Sequence, residues 1–307
     1  MDLGKFVLFL KSIDGVGEAA IRKLIICNCF KNLELKSSED VLSFLKSHIG
    51  YFTRKQAIES LSVASLKKAD NKRLLLEQSC ANGRATILTY FDEGYPNRFK
   101  RMKEARSRDF PLVLFCKGDI GLLSAEKTCA IIGTRKPSEK AKAVAFELSK
   151  KMAERGYAVI SGLADGCDTL AHKGCLEANG KTVAILGMGL DKISTKAGRE
   201  LAYEILSKDG LIISEYPLGT APQSFTFVQR DRLQAALGDL VIPVQTSESG
   251  GTMHACNSCE TNYGNRLIVV SPSLVGDGEV SGNKRLIDTY FSKTIDDLSD
   301  SAIDAVL

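Results

Sequence analysis

The residues best equipped for chemistry gather in short turns rich in glycine and hydroxyls. Gly133-Thr134-Arg135-Lys136 follows an apolar run and precedes a helix-forming stretch that opens at Ser138. Glycine lets a backbone approach a ligand closely. A helix start offers N–H groups to an anion, and a guanidinium matches phosphate in a planar fork. The same residues also fit a plain strand-to-helix turn with Ser138 as N-cap. Ser161-Gly162-Leu163-Ala164-Asp165-Gly166-Cys167-Asp168 has the same form; there Asp168 reads as an N-cap and His172 as a packed helix residue rather than a catalytic one. Gly187-Met188-Gly189 supplies G-x-G, but Lys192 stands where a dinucleotide fingerprint needs its third glycine. Phe225 and Phe227 precede Arg230-Asp231-Arg232. Rings beside arginines suit single-stranded nucleic acid, rings for bases and guanidinium groups for phosphates; a core phenylalanine pair and a solvated arginine pair are the alternative. Ser249-Gly250-Gly251-Thr252 is a further anion-friendly turn ahead of a helix. Cys256-Asn257-Ser258-Cys259 is a C-x-x-C with no second ligand pair at zinc spacing, so neither a metal nor another cofactor is expected.

These turns need elements to hold them. Over residues 1–82 apolar residues recur at helical spacing, as in LGKFVLFLKSI and RKQAIESLSVASLKKA, and Asn82-Gly83 ends the stretch. A domain boundary is placed there, giving a helical domain over 1–82 and a second domain over 83–307. From about residue 111 onward the pattern changes to short, continuously apolar runs: PLVLFCKG, KTCAIIGTR, GYAVISGLA, KTVAILGMG, GLIISEYP, DLVIPVQT and NRLIVVSP. Strands buried on both faces read this way. Helical stretches separate most of them, so the fold class is α/β, a doubly wound, mostly parallel sheet with its sites at the carboxyl ends of the strands.

Composition narrows the function. Lys and Arg total 41 against 37 Asp and Glu, a net charge of +4, so a basic nucleic-acid surface must be local. Arg98, Lys100, Arg101, Lys103, Arg106 and Arg108 form one such run, either a DNA contact or a solvated face. No apolar stretch approaches the roughly 18 residues of a membrane span. The first residues do not read as a signal peptide. Nine cysteines are therefore read as reduced thiols in a cytoplasmic protein.

The series GTRKPS, SGLADGCD, GKTVAILGMGLD, GLIISEYPLG, F-x-x-R-D-R and SGGT, in this order over about 128–270, resembles the DNA-processing protein A (DprA, or Smf) family. The resemblance implies an extended Rossmann-like core, a non-enzymatic function in binding single-stranded DNA, and help in loading a RecA-type recombinase, as in transformation and recombination. It also implies a homodimer and a small helical N-terminal domain of SAM- or helix-hairpin-helix-like form, for which Ile13-Asp14-Gly15-Val16-Gly17 would be the hairpin. The residues expected to touch nucleic acid are Gly133, Thr134, Arg135, Lys136, Ser161, Gly162, Gly166, Phe227, Arg230, Arg232, Ser249, Gly250, Gly251 and Thr252. For the dimer, the helix around Thr252–Tyr263 and the Leu286–Phe291 segment carry spare apolar residues.

The chain also departs from the family pattern. Ser194-Thr195 replaces Tyr-Pro, Val228 and Asp231 replace the Pro and Asn of F-P-x-R-N-R, Gln245 replaces a Glu, and Asp165 puts an acid in a loop meant for phosphate. The winged-helix-like C-terminal domain of many members is expected to be missing. Drift of this kind leaves room for a regulatory role, with a toxin partner in a phage-defence or toxin–antitoxin pair. An enzyme reading, a nucleotide phosphoribohydrolase, would need a Glu where Ala255 stands, and alanine cannot transfer a proton.

Overall fold

A computed structural model describes residues 2–104, 108–259, 266–276 and 278–307. Five helices come first: α1 (Leu3–Ser12), α2 (Glu18–Ile26), α3 (Ser38–Ser47), α4 (Lys55–Glu59) and α5 (Val63–Asn82). Their starts are chemically marked. Asp2 accepts from the Lys5 N–H at 2.8 Å, and Ser37 with Asp40 closes a capping box on α3. Their shared core is aromatic: Phe6 meets Phe30 and Phe44 edge-on at 5.7 and 5.8 Å.

The remainder is built on β1 (Thr86–Thr89), β2 (Val113–Gly118), β3 (Thr128–Ile132), β4 (Ala158–Ser161), β5 (Thr182–Leu186), β6 (Leu211–Ser214), β7 (Leu240–Pro243), β8 (Arg266–Val270) and β9 (Lys293–Ile295). They form one sheet of order β1-β2-β6-β5-β4-β3-β7-β8-β9. From β3 onward every pairing is parallel, whereas β2 runs antiparallel to both β1 and β6. The α/β class and the mostly parallel sheet follow the sequence reading. PLVLFCKG does not extend the parallel series, because a continuous apolar run reports burial on both faces and carries no strand direction.

The helices are α6 (Asn97–Arg101), α7 (Glu139–Glu154), α8 (Cys167–Glu177), α9 (Lys196–Ser207), α10 (Ser224–Leu237), α11 (Thr252–Ser258), α12 (Pro272–Val275), α13 (Ser281–Tyr290) and α14 (Asp300–Val306). Alternation along the strands assigns them to faces. Cys129 and Ile131 of β3 pack with Ala141 and Leu148 of α7 and Ala171 of α8. Ala130 and Ile132 point the other way, into a cluster with Leu233 and Leu237 of α10. That second cluster runs without a break into Phe6, Leu10, Ile21 and Leu24, so the N-terminal helices and one sheet face share a core.

Chain order reverses at β3, whose neighbours are β4 on one side and β7 on the other. The turns leaving β3 and β7 therefore diverge to opposite faces and leave a crevice between them. α11 ends at Ser258, and Tyr263 lies outside the described residues. No described helix is long and apolar enough to cross a membrane.

Candidate nucleic-acid interface

A cleft of about 490 Å³ opens at this crevice. Its walls bring together Gly133, Thr134, Arg135 and Lys136 after β3, Phe227, Arg230 and Asp231 on α10, and Gly250, Gly251 and Thr252 ahead of α11. A smaller recess of about 120 Å³ adjoins it, lined by Leu163, Asp165, Met188 and Ser194 and sharing Arg135, Phe227 and Arg230. Turns that lie more than a hundred residues apart in the sequence thus meet along one edge of the sheet.

Arg135 and Lys136 are exposed, and the Arg135 guanidinium carbon sits 5.0 Å from the centre of the Phe227 ring. That stacking orients the cation without using its N–H donors. Phe225, 55 % exposed, stands on the same helix. Ser138 caps α7, accepting from the Ala141 N–H at 3.0 Å.

Several donors expected at the surface are spent inside the fold. The Thr134 N–H donates to the Gln245 carbonyl at 2.8 Å, and the Ser138 N–H to the Gln245 side-chain oxygen at 2.9 Å. Ser161 is fully buried, with its hydroxyl donating to the Ile131 carbonyl at 2.7 Å, so it braces the sheet and does not reach the cleft. Gly162 is buried beneath Arg230: a Cβ there would lie 1.6 Å from Arg230 Nη1. Gly166 caps α8 with φ +88°, where a Cβ would strike the Thr134 carbonyl at 2.4 Å. Asp168, expected as that cap, lies instead in the first turn of α8. Ser249 is exposed beside the cleft and does not line it.

The two arginines of F-x-x-R-D-R part company. Arg230 is buried under the cleft, with Nη1 3.5 Å from Asp168 and Nε 3.3 Å from Asp231. Burial raises the pKa of Asp168, and it pushes Asp231 up to about 7. Arg232 lines a different cleft, against Lys11, Arg22 and Tyr216. It grips Glu215 at 2.7 and 2.9 Å and the Asp109 carbonyl at 2.9 Å, a structural clamp away from the cleft that holds Arg135. Arg22 reaches the Phe110 carbonyl at 2.7 Å and Glu18 at 2.9 Å, tying α2 into the same network. None of these long-range partners carries a local signal in the sequence.

His172 is fully buried between the Thr182 hydroxyl, 2.7 Å away, and the Gly162 carbonyl. Burial drives its pKa down to about 4, so it is a neutral packing residue, as the sequence favoured. Cys256 and Cys259 are buried in the apolar core, and no three metal-ligating side chains converge among the described residues. In the basic run, Arg98 clamps Asp239 at 2.9 and 2.6 Å, which makes it a structural residue; Arg106 lies outside the described residues. Ile13–Gly17 forms the turn between α1 and α2, where Asp14 pairs with Lys72 at 2.7 Å. Ser224, Gln234 and Thr246 also line the cleft and were not singled out by spacing alone.

Comparison with known proteins gives consistent results. The family model for DNA recombination-mediator protein A matches residues 86–304. DNA processing protein DprA of Bacillus subtilis is 36 % identical over 145 residues, 47 % of this chain and 48 % of its own, so the chain spans about half of that relative. DNA processing protein A of Helicobacter pylori, whose structure was determined for its single-stranded DNA binding mode, aligns with a TM-score of 0.62 at 28 % identity, over 72 % of this chain and 95 % of its own. DprA of Streptococcus pneumoniae shares the fold, with a TM-score of 0.76 at 23 % identity over 99 % and 98 % of the two chains. With the matched region carrying the sheet and every turn that lines the cleft, the chain belongs to the DNA recombination-mediator protein A (DprA/Smf) family.

Proposed function

We propose that the protein binds single-stranded DNA along the carboxyl edge of the sheet, without catalysis, and presents the strand to a RecA-type recombinase. The observation that carries this reading is the exposed Arg135–Lys136 pair, with Arg135 stacked on Phe227, facing the Gly250-Gly251-Thr252 turn across an open cleft. Cations there meet phosphates, and Phe227 offers a ring to bases; both kinds of contact are indifferent to sequence. Family membership and the DNA-binding relative support the same reading. Ala255, buried in α11, supplies no proton donor for glycosidic-bond cleavage. The test is fluorescence anisotropy with a labelled thymidine oligonucleotide and the same sequence as a duplex. Tighter binding of the single strand is expected, weakening with added salt; a duplex preference of about tenfold or more, or salt-independent binding, counts against it.

A further inference from the structure

The cleft that would take the phosphates also holds an acid. Asp231 lines it together with Arg135, Lys136, Gly250 and Gly251, and Asp231 Oδ2 lies 3.4 Å from where a Cβ on Gly251 would stand. A phosphate held by that turn would sit beside a carboxylate. Asp231 and Asp168 share one guanidinium: Arg230 is 3.3 Å from the first and 3.5 Å from the second. All three side chains are at least 86 % buried, with exposures of 14 % for Asp231, 8 % for Asp168 and 5 % for Arg230. One cation compensates one carboxylate in such a place. The deeper Asp168 also accepts from the Ala164 backbone. Two buried carboxylates therefore share one guanidinium, and the more exposed of them, Asp231, stands where the related motif carries asparagine.

We propose that Asp231 is a binding determinant that couples phosphate capture in this cleft to the uptake of one proton. This rests on the reading that the cleft seats a phosphodiester. An arriving anion adds a second negative charge beside a buried carboxylate, and protonation removes that repulsion. Around Asp231 stand Arg230 on α10, Asp168 on α8, Arg135 on the β3–α7 turn and Cys256 on α11. Burial holds the Cys256 thiol well above its ordinary range, and His172, behind Arg230, stays neutral because burial lowers its pKa to about 4. Burial pushes Asp231 up to about 7 and raises Asp168 as well, so a proton taken up around neutral pH goes to this carboxylate pair, of which Asp231 is the member beside the Gly251 turn. A phosphodiester does not titrate there.

The experiment measures the affinity of the full chain for a labelled thymidine oligonucleotide from about pH 6 to about pH 8 at fixed ionic strength. It also measures proton uptake, by calorimetry in buffers of different ionisation enthalpy. For the unaltered chain, affinity should fall as pH rises, by no more than about tenfold per pH unit for one proton, with uptake between zero and one proton per site. Asp231→Asn should flatten the profile and bind at high pH as tightly as the unaltered chain binds at low pH. The uptake measurement uses the unaltered protein, so it does not depend on the variant folding. A pH-independent affinity with no uptake, or a slope that persists in Asp231→Asn, overturns the proposal while leaving the cleft as the DNA site. Absence of binding by both proteins at every pH overturns the underlying reading and the proposal with it.

Discussion

At the scale of single residues, three arginines that look alike in the sequence have three different roles. Arg135 is exposed over Phe227, Arg230 is buried under the cleft, and Arg232 clamps Glu215 and Asp109. Arg135→Ala is expected to weaken oligonucleotide binding by about 1–3 kcal/mol with an unchanged melting temperature, as for a charge-assisted contact made only with ligand. Arg232→Ala should do the reverse. It leaves the nearly buried Glu215 without its closest partner, costing about 3 kcal/mol of stability, and circular-dichroism melts beside anisotropy separate the two outcomes. The i, i+2 spacing of Arg230 and Arg232 was visible in the sequence, and its consequence follows from helix geometry: at about 100° per residue the two side chains point to nearly opposite sides. Which side faces the cleft depends on Asp168, Glu215 and Asp109, distant residues that no local pattern identifies. Asp231 gives a stability prediction with a definite sign. Its folded pKa, near 7, lies above the ordinary aspartate value, so the folded state holds a proton that the unfolded state releases; stability is fullest at low pH and declines as pH rises through 7. Asp231→Asn should therefore melt higher than the unaltered chain above pH 7, and a lower melting point there would contradict the burial argument.

At the scale of elements, the strands and most helices were legible because burial on both faces and helical periodicity are local properties. The turns were legible as places and less so as chemistry. Glycines expected to open the backbone to phosphate often open it to other protein atoms instead. Gly162 is the sharpest case, lying directly beneath the Arg230 side chain, and Gly166 approaches the backbone of Thr134 and Arg135. Gly162→Ala should force Arg230 out of its pocket, lowering stability by about 1–3 kcal/mol as overpacking does, and weakening DNA binding by disordering the cleft floor. Thermal melts with binding assays check this, and an unaltered melting point would show that the floor yields without cost. The antiparallel entry of β2 was not legible, because direction is decided by the partner strand β6 and not by the apolar run itself.

At the scale of the whole molecule, the helical region and the sheet share one apolar cluster, and the Glu18–Arg22–Glu215–Arg232 chain of ion pairs spans the same junction. Periodicity could separate the two regions; it could not show that they bury surface against each other. Self-association is expected from the family resemblance, and the Leu286–Phe291 segment divides on this point: Leu286 is fully buried, whereas Phe291 is 91 % exposed. Sedimentation at micromolar concentration should give twice the chain mass, and Phe291→Asp should lower it if that ring lies in the contact; a single-chain mass at every concentration would make the protein a monomer. Binding at the carboxyl edge of the sheet is tested most directly by the salt dependence of single-strand binding in the unaltered chain and in an Arg135→Ala, Lys136→Ala double variant. Each phosphate contact contributes a slope of about −0.7 in log affinity against log salt for a single strand, so the double variant should lose about 1.4 of that slope along with much of its affinity. An unchanged slope and affinity would mean that the strand lies elsewhere on the molecule.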